Sequence, residues 1–162
     1  MAERIVVMGV SGCGKSSLGA ALAARLGGRF IEGDALHPEA NRAKMASGQP
    51  LTDADRWPWL DLVAEALAAP GEGPAVAACS ALRRAYRDRL RAGAGPLTFL
   101  WMDGPVDLIA ARMAARQGHF MPTALLQSQV ATLEPPGPEE AIRLDISAPP
   151  DAILAEALRQ VG

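Results

Sequence analysis

At 162 residues, 49% of them hydrophobic and 21% charged, the chain has the size and makeup of one globular domain with a substantial core. Sixteen basic residues against eighteen acidic leave a net charge of −2, which gives no footing for nucleic acid or an anionic membrane as partner. No stretch nears the roughly 18 apolar residues of a membrane-spanning helix, and the opening residues enter a strand pattern at once, with Glu3 and Arg4 in it, unlike a signal peptide.

In chain order, the first predicted strand covers residues 4–8 and ends on the apolar run Ile5-Val6-Val7-Met8. Directly after it comes Gly9-Val10-Ser11-Gly12-Cys13-Gly14-Lys15-Ser16, which fits G-x-x-x-x-G-K-[ST]. A predicted helix over 16–26 follows, with Leu18, Leu22 and Leu26 on one face. Strand, glycine turn and helix together form the context of a phosphate-binding loop: glycines let backbone N–H groups turn inward, Lys15 adds a mobile positive charge, and the Ser16 hydroxyl suits Mg²⁺. Cys13 lies in the loop, where its N–H matters more than its thiol. With Cys79 it makes two cysteines without metal-ligand spacing, which suggests a reducing cytoplasm.

A second strand, 29–32, runs into Gly33-Asp34-Ala35-Leu36-His37-Pro38. A carboxylate just past a strand end can take a proton from a hydroxyl or hold water on Mg²⁺; the alternative for Asp34 is a local turn. His37, alone in a turn, is as well explained by structure as by an active-site role. Helices are predicted over 39–47 and 54–69, the latter with Asp53 as a possible cap. Of the sixteen basic residues only Lys15 and Lys44 are lysine, so Lys44 is notable against an arginine background. Arg56, beside Trp57 and Trp59, suits bidentate capture of a carboxylate or phosphate; a salt bridge to Asp53 or Asp55 is the alternative.

The third strand, 75–79, leads into a helix predicted over 81–92, with Arg83, Arg87 and Arg91 on one face. Arg83, nearest the strand end, is the one placed to meet a substrate or a transferring phosphoryl group. No acid ends this strand, so a conventional Walker-B aspartate is not visible. Asp103, after the fourth strand (97–102), runs into a Gly104-Pro105 turn. Helices are predicted over 105–116 and 122–133; Arg112 and Arg116, four apart on the first, and His119 after it make a basic stretch suited to a lid that closes on the γ-phosphate, the alternative being an exposed helix end whose arginines complement the dipole. A fifth strand, 142–146, and a helix over 150–160 complete the chain. The alternation of strands and helices predicts an α/β fold, a parallel sheet with helices on both faces and ligands at the strands' carboxyl ends.

Taken together, the motifs resemble the gluconate kinases among the small P-loop kinases. The likeness runs through M-G-V-S-G-x-G-K-S at 8–16, G-D-x-L-H-P at 33–38, N-x-x-K-M with G-x-P-L at 41–51, and D-x-D-R-x-P-W-L at 53–60. It continues in C-S-A-L-[KR]-x-x-Y-R-D-x-L-R at 79–91, R-x-x-x-R-x-x-H-F-M at 112–121 and S-Q-x-x-x-L-E-x-P at 128–136. The resemblance implies a nucleotide-kinase-like, shikimate-kinase-like P-loop fold with a five-stranded parallel sheet, one domain over 1–162, a small lid about 112–129, and a homodimer. It implies transfer of the γ-phosphoryl of ATP to the 6-hydroxyl of D-gluconate.

On that resemblance ATP is expected at Gly9, Val10, Ser11, Gly12, Cys13, Gly14, Lys15, Ser16, Ser17 and Arg112. Lys15, Asp34 and Arg116 are expected to serve catalysis, and Ser16 to hold Mg²⁺. Asp34, His37, Lys44, Arg56, Ser80, Arg83 and His119 are expected to meet the sugar acid. Departures from the family pattern are Glu32, Ser17, the Asp103-Gly104-Pro105 segment, and Arg83 where lysine is usual. The rival expectations are a P-loop kinase for another hydroxy acid such as shikimate, or a non-catalytic nucleotide-binding module. A GTPase would carry N-K-x-D, which does not occur.

Overall fold

The computed structural model describes residues 3–115 and 123–162. Five strands, β1 (Arg4–Met8), β2 (Arg29–Glu32), β3 (Ala75–Ala78), β4 (Thr98–Asp103) and β5 (Ala141–Asp145), form one sheet in the order β2-β3-β1-β4-β5. Every pairing is parallel. The central strands read as unbroken apolar runs because both of their faces are covered. Ile5, Val6, Val7 and Met8 are wholly buried, and all four residues of β3 are buried.

The helices are α1 (Lys15–Leu26), α2 (Glu39–Ala46), α3 (Asp53–Ala68), α4 (Arg84–Ala94), α5 (Val106–Ala115), α6 (Thr123–Thr132) and α7 (Pro150–Val161). From β1 the chain crosses through α1 to the β2 edge; from β3 it crosses through α4 the other way, to β4. Right-handed crossovers in opposite directions put α1 and α4 on opposite faces. The packing agrees: α1 lies against α7, and α3 against α4. Leu22 seals one layer and Leu60, Leu67 and Leu90 the other, all fully buried; truncating Leu22 or Leu60 to Ala would cost about 2–5 kcal/mol. The reversal of direction lies between β1 and β3, so the crevice at their carboxyl ends is where such a sheet binds ligands.

Three local expectations are corrected. The helix predicted from residue 81 begins at Arg84: Ala81 takes a left-handed φ of 46°, which no helix can include, and Arg83 becomes the N-cap. Arg83 therefore does not share a helical face with Arg87 and Arg91. Asp53 is the first residue of α3 rather than its cap. The cap is Thr52, whose side chain accepts from the Asp55 N–H while Asp55 reaches back to the Thr52 N–H. Residues Gly33–Leu36, read as a turn, form a 3₁₀ helix. Helix α4 also runs two residues past its predicted end, to Ala94, and the other bounds agree within a residue; of the expected lid, residues 112–115 fall in α5 and 123–129 in α6, and 116–122 lie outside the described residues.

Candidate active site

The register of the sheet brings three loops together. Val7 of β1 and Glu32 of β2 both align with Ala78 of β3, so the segments after these strands emerge side by side. They carry Gly9–Ser16, Asp34, and Ser80 with Arg83. Gly9 N–H donates to the Ser80 carbonyl at 3.2 Å, joining the first and third loops. Gly33 lets the second approach: a Cβ there would stand 2.2 Å from the Ala78 carbonyl oxygen.

The first loop has the form of an anion cradle. Gly14, at φ 98°, precedes α1 without a side-chain cap, and the first turn of α1 holds no acid. Its leading amides and the positive end of its dipole thus face the loop. Lys15 Nζ spans the loop to the Val10 carbonyl at 3.1 Å, and Cys13 is buried beneath. Ser16 and Ser17, on the first turn, are exposed. Gln129 of α6 is a residue to which the sequence reading gave no role: its Oε1 accepts from Ser11 N–H at 2.7 Å. Helix α5 closes over Gly12, where an added Cβ would meet Met113 at 2.4 Å, and Arg112 precedes Met113 on that helix.

Asp34 is exposed on its 3₁₀ turn. The turn is fixed from below by Trp59, whose indole N–H donates to the Gly33 carbonyl at 2.8 Å. His37 stacks on Trp59 with centroids 4.0 Å apart, and its Nδ1 lies 3.2 Å from Asn41 Nδ2. With the Asn41 amide donating, Nδ1 is the acceptor and the proton sits on Nε2. Burial drives the His37 pKa down to about 4, against a counter-pull from Asp34 and with help from Arg42 and Arg56. At neutral pH the ring is uncharged. Burial also pushes the Cys79 thiol up to about 12. Asp34 pushes that thiol further up and Lys15 pulls it down.

The remaining cations gather on the first turn of α3. Arg56 donates to the Tyr86 hydroxyl at 2.9 Å, lies 3.6 Å from Asp53, and has its guanidinium 5.1 Å from the Tyr86 ring centre. Tyr86 in turn donates to Asp53, and Arg83 stands 3.9 Å from that same carboxylate. Burial, then the bond to Asp53, raises the Tyr86 pKa to about 12, so the hydroxyl keeps its proton. Lys44 pairs with Asp55 at 2.7 Å; hydrogen bonds from Lys44 and from Thr52 hold the Asp55 carboxyl down at about 2. The alternative weighed for Arg56, an ion pair with Asp53, is thus present. Asp103 is engaged by Arg143 at 2.8 Å on the far side of the sheet order, a structural pairing.

Of the expected residues, the structure brings together the loop, Asp34, Ser80, Arg83, Arg56 and Lys44. It sets His37 into the packing under Asp34. Arg116 and His119 lie outside the described residues. Asp53, Tyr86 and Gln129 are additions. The chain's single tyrosine, three residues past Arg83, was the available signal for one of them.

A family model described as an AAA domain matches residues 5–136. A gluconokinase of Gluconobacter oxydans (strain 621H) is 52% identical over 159 residues, spanning 96% of this chain and 89% of that protein. The crystal structure of a gluconokinase from Sinorhizobium meliloti 1021 is 52% identical with a TM-score of 0.89, covering 98% of this chain and 90% of that one. Shikimate kinase from Aquifex aeolicus superposes with a TM-score of 0.58 over 97% of this chain and 94% of its own; at 15% identity that likeness concerns the fold alone.

Proposed function

The chain belongs to the gluconokinase family, and we infer that it transfers the γ-phosphoryl group of ATP to the 6-hydroxyl of D-gluconate. The observation that carries this reading is the meeting, at the ends of β1, β2 and β3, of an anion cradle, one exposed carboxylate and a rim of three cations. The cradle suits a polyphosphate, the carboxylate a reacting hydroxyl, and the rim a sugar acid.

In this reading the amides of residues 11–16 and Lys15 hold the β- and γ-phosphates. Asp34 orients the attacking hydroxyl and accepts its proton as the P–O bond forms. Arg56 and Arg83 take the carboxylate, with Lys44 and Ser80 beside them, and His37 supports the Asp34 turn as a neutral ring. Arg112, with Arg116 and His119 on the lid, supplies charge to the transferring group. The exposed Ser16 hydroxyl and Asp34 carboxylate are hard oxygen donors of the kind Mg²⁺ takes beside phosphate. When bound there with ATP, the ion would neutralise charge on the β- and γ-phosphates. Positioning and charge neutralisation supply most of the rate in phosphoryl transfer.

We further propose one kinase domain over 1–162 with its lid at about 112–129, assembled as a homodimer and working in the cytoplasm. The buried free thiols Cys13 and Cys79 fit a reducing compartment. Light scattering would give twice the chain's mass. Among the described residues, no helix is long and apolar enough to cross a membrane.

Phosphorus NMR of the product mixture tests the chemistry. We expect a single phosphomonoester, coupled to the C6 protons of gluconate, with ADP in equal amount. A product from shikimate and none from gluconate would replace the substrate; ATP bound with no product would favour a binding module.

A further inference from the structure

Arg87 is 1% exposed, and its side chain makes four hydrogen bonds that the proposed reaction does not use. Nε and Nη2 grip the Glu140 carboxylate at 2.8 and 3.3 Å; Nη1 donates to the Ala81 carbonyl at 2.8 Å and Nη2 to the Glu134 carbonyl at 3.0 Å. Glu140 is itself buried, with Arg91 at 2.6 Å as a second cation. Burial alone would raise its pKa, yet the bonds from Arg87 and Arg91 prevail and hold it below the usual range. The carboxylate therefore stays charged beneath the loop.

The segment around Glu134 completes the clamp. Its N–H donates to the Leu82 carbonyl at 2.7 Å, and its side chain accepts from Arg84 N–H at 2.8 Å. Ala81, Leu82 and Arg84 are thereby each held by a polar bond, and the Arg83 carbonyl accepts from the Arg87 N–H at 3.1 Å. Ala81, in the middle of Arg87's reach, is the one described residue other than glycine with positive φ. A carbonyl held on that unusual turn fixes the direction in which Leu82 and Arg83 leave β3. At the other end of the same loop, the Ser80 carbonyl is tied to Gly9.

A buried ion pair is a poor device for stability, since apolar residues of equal volume do as well or better. This one ties the loop that carries Arg83 to the segment Glu134–Glu140. We propose that Arg87, seated on Glu140, is a positioning residue that presents Arg83 to the carboxylate of the substrate. The proposal rests on Arg83 being a substrate cation.

The test compares steady-state constants for Arg83→Ala, Arg87→Lys and Glu140→Gln, with melting curves for each. Lysine keeps the charge but cannot fork to Glu140 and two carbonyls. We expect Arg83→Ala and Arg87→Lys each to raise the gluconate KM by about 10- to 100-fold while the ATP KM stays within about twofold. Glu140→Gln, which preserves shape, should raise it in the same direction and serves if the lysine variant does not fold. A purely structural role would lower the melting temperature and leave the gluconate KM of the folded fraction unchanged. That result, with Arg83→Ala still defective, overturns the positioning role alone. A normal gluconate KM in Arg83→Ala overturns the substrate role of Arg83 and the proposal with it.

Discussion

The phosphate loop and the cationic rim lie side by side at the carboxyl end of the sheet, but they are built from different parts of the polypeptide. The loop uses main chain: backbone amides, glycines at Gly9 and Gly14 in left-handed conformations, and one lysine whose own loop carbonyl holds it. The rim uses long side chains held by partners far away in sequence, Arg56 by a tyrosine 30 residues on and Arg83 by Asp53. Main-chain recognition reads what all nucleoside triphosphates share. Side-chain recognition reads what distinguishes one acceptor from another, and a neighbour's carboxylate can hold the cations apart in readiness for the substrate's own.

If this division is right, substitutions in the two halves fall on different kinetic constants. The largest effect belongs to Lys15→Met, which should lower kcat by about 10³-fold or more, because charge on the transferring phosphoryl is lost. Its circular dichroism and melting temperature should match the parent, since among the described residues the Lys15 ammonium makes a single hydrogen bond, to the Val10 carbonyl. Arg56→Ala should raise the gluconate KM by about 100-fold, the loss of a charge-assisted contact, with the ATP KM nearly unmoved. Equal rises in both would break the comparison.

Smaller effects sharpen it. Gln129→Ala removes one acceptor from Ser11 N–H, so the ATP KM should shift by only about fivefold. His37 supports the Asp34 turn through stability rather than through charge. Its folded pKa, about 4, lies below its ordinary 6.5, so the unfolded chain binds the extra proton between those values. Stability is therefore complete above pH 6.5 and falls as the pH drops toward 4, by about 2 kcal/mol after allowance for solvent screening. Urea melts across that range should show the slope, and the His37→Asn variant should lose this part of it.

The same contrast explains what the sequence revealed. The loop, the parallel sheet and Asp34 were legible because each is a local pattern: an apolar run, a glycine spacing, an acid just past a strand. Leu22 and the buried β1 run fall where periodicity puts them. The rim was legible only as candidate cations. That Arg83 caps α4 depends on the left-handed turn at Ala81, a non-glycine residue that gives no local sign of it. Arg87 and Glu140 are 53 residues apart, and Ser11 and Gln129 are 118 apart, so no spacing rule links either pair. Thr52 displaced Asp53 as cap because Asp55, three residues on, completes the reciprocal box.

The most direct measurement is ADP release with Mg-ATP on D-gluconate and on sorbitol, the same polyol with no carboxylate. The account predicts turnover on gluconate in the ordinary enzyme range of roughly 1–1000 per second. On sorbitol, kcat/KM should be lower by about 10³-fold or more, because the rim's cations then have no substrate carboxylate to hold. Equal turnover of the two would contradict the rim as the reader of the acid. No turnover on gluconate, with ATP binding intact, would contradict the assignment itself.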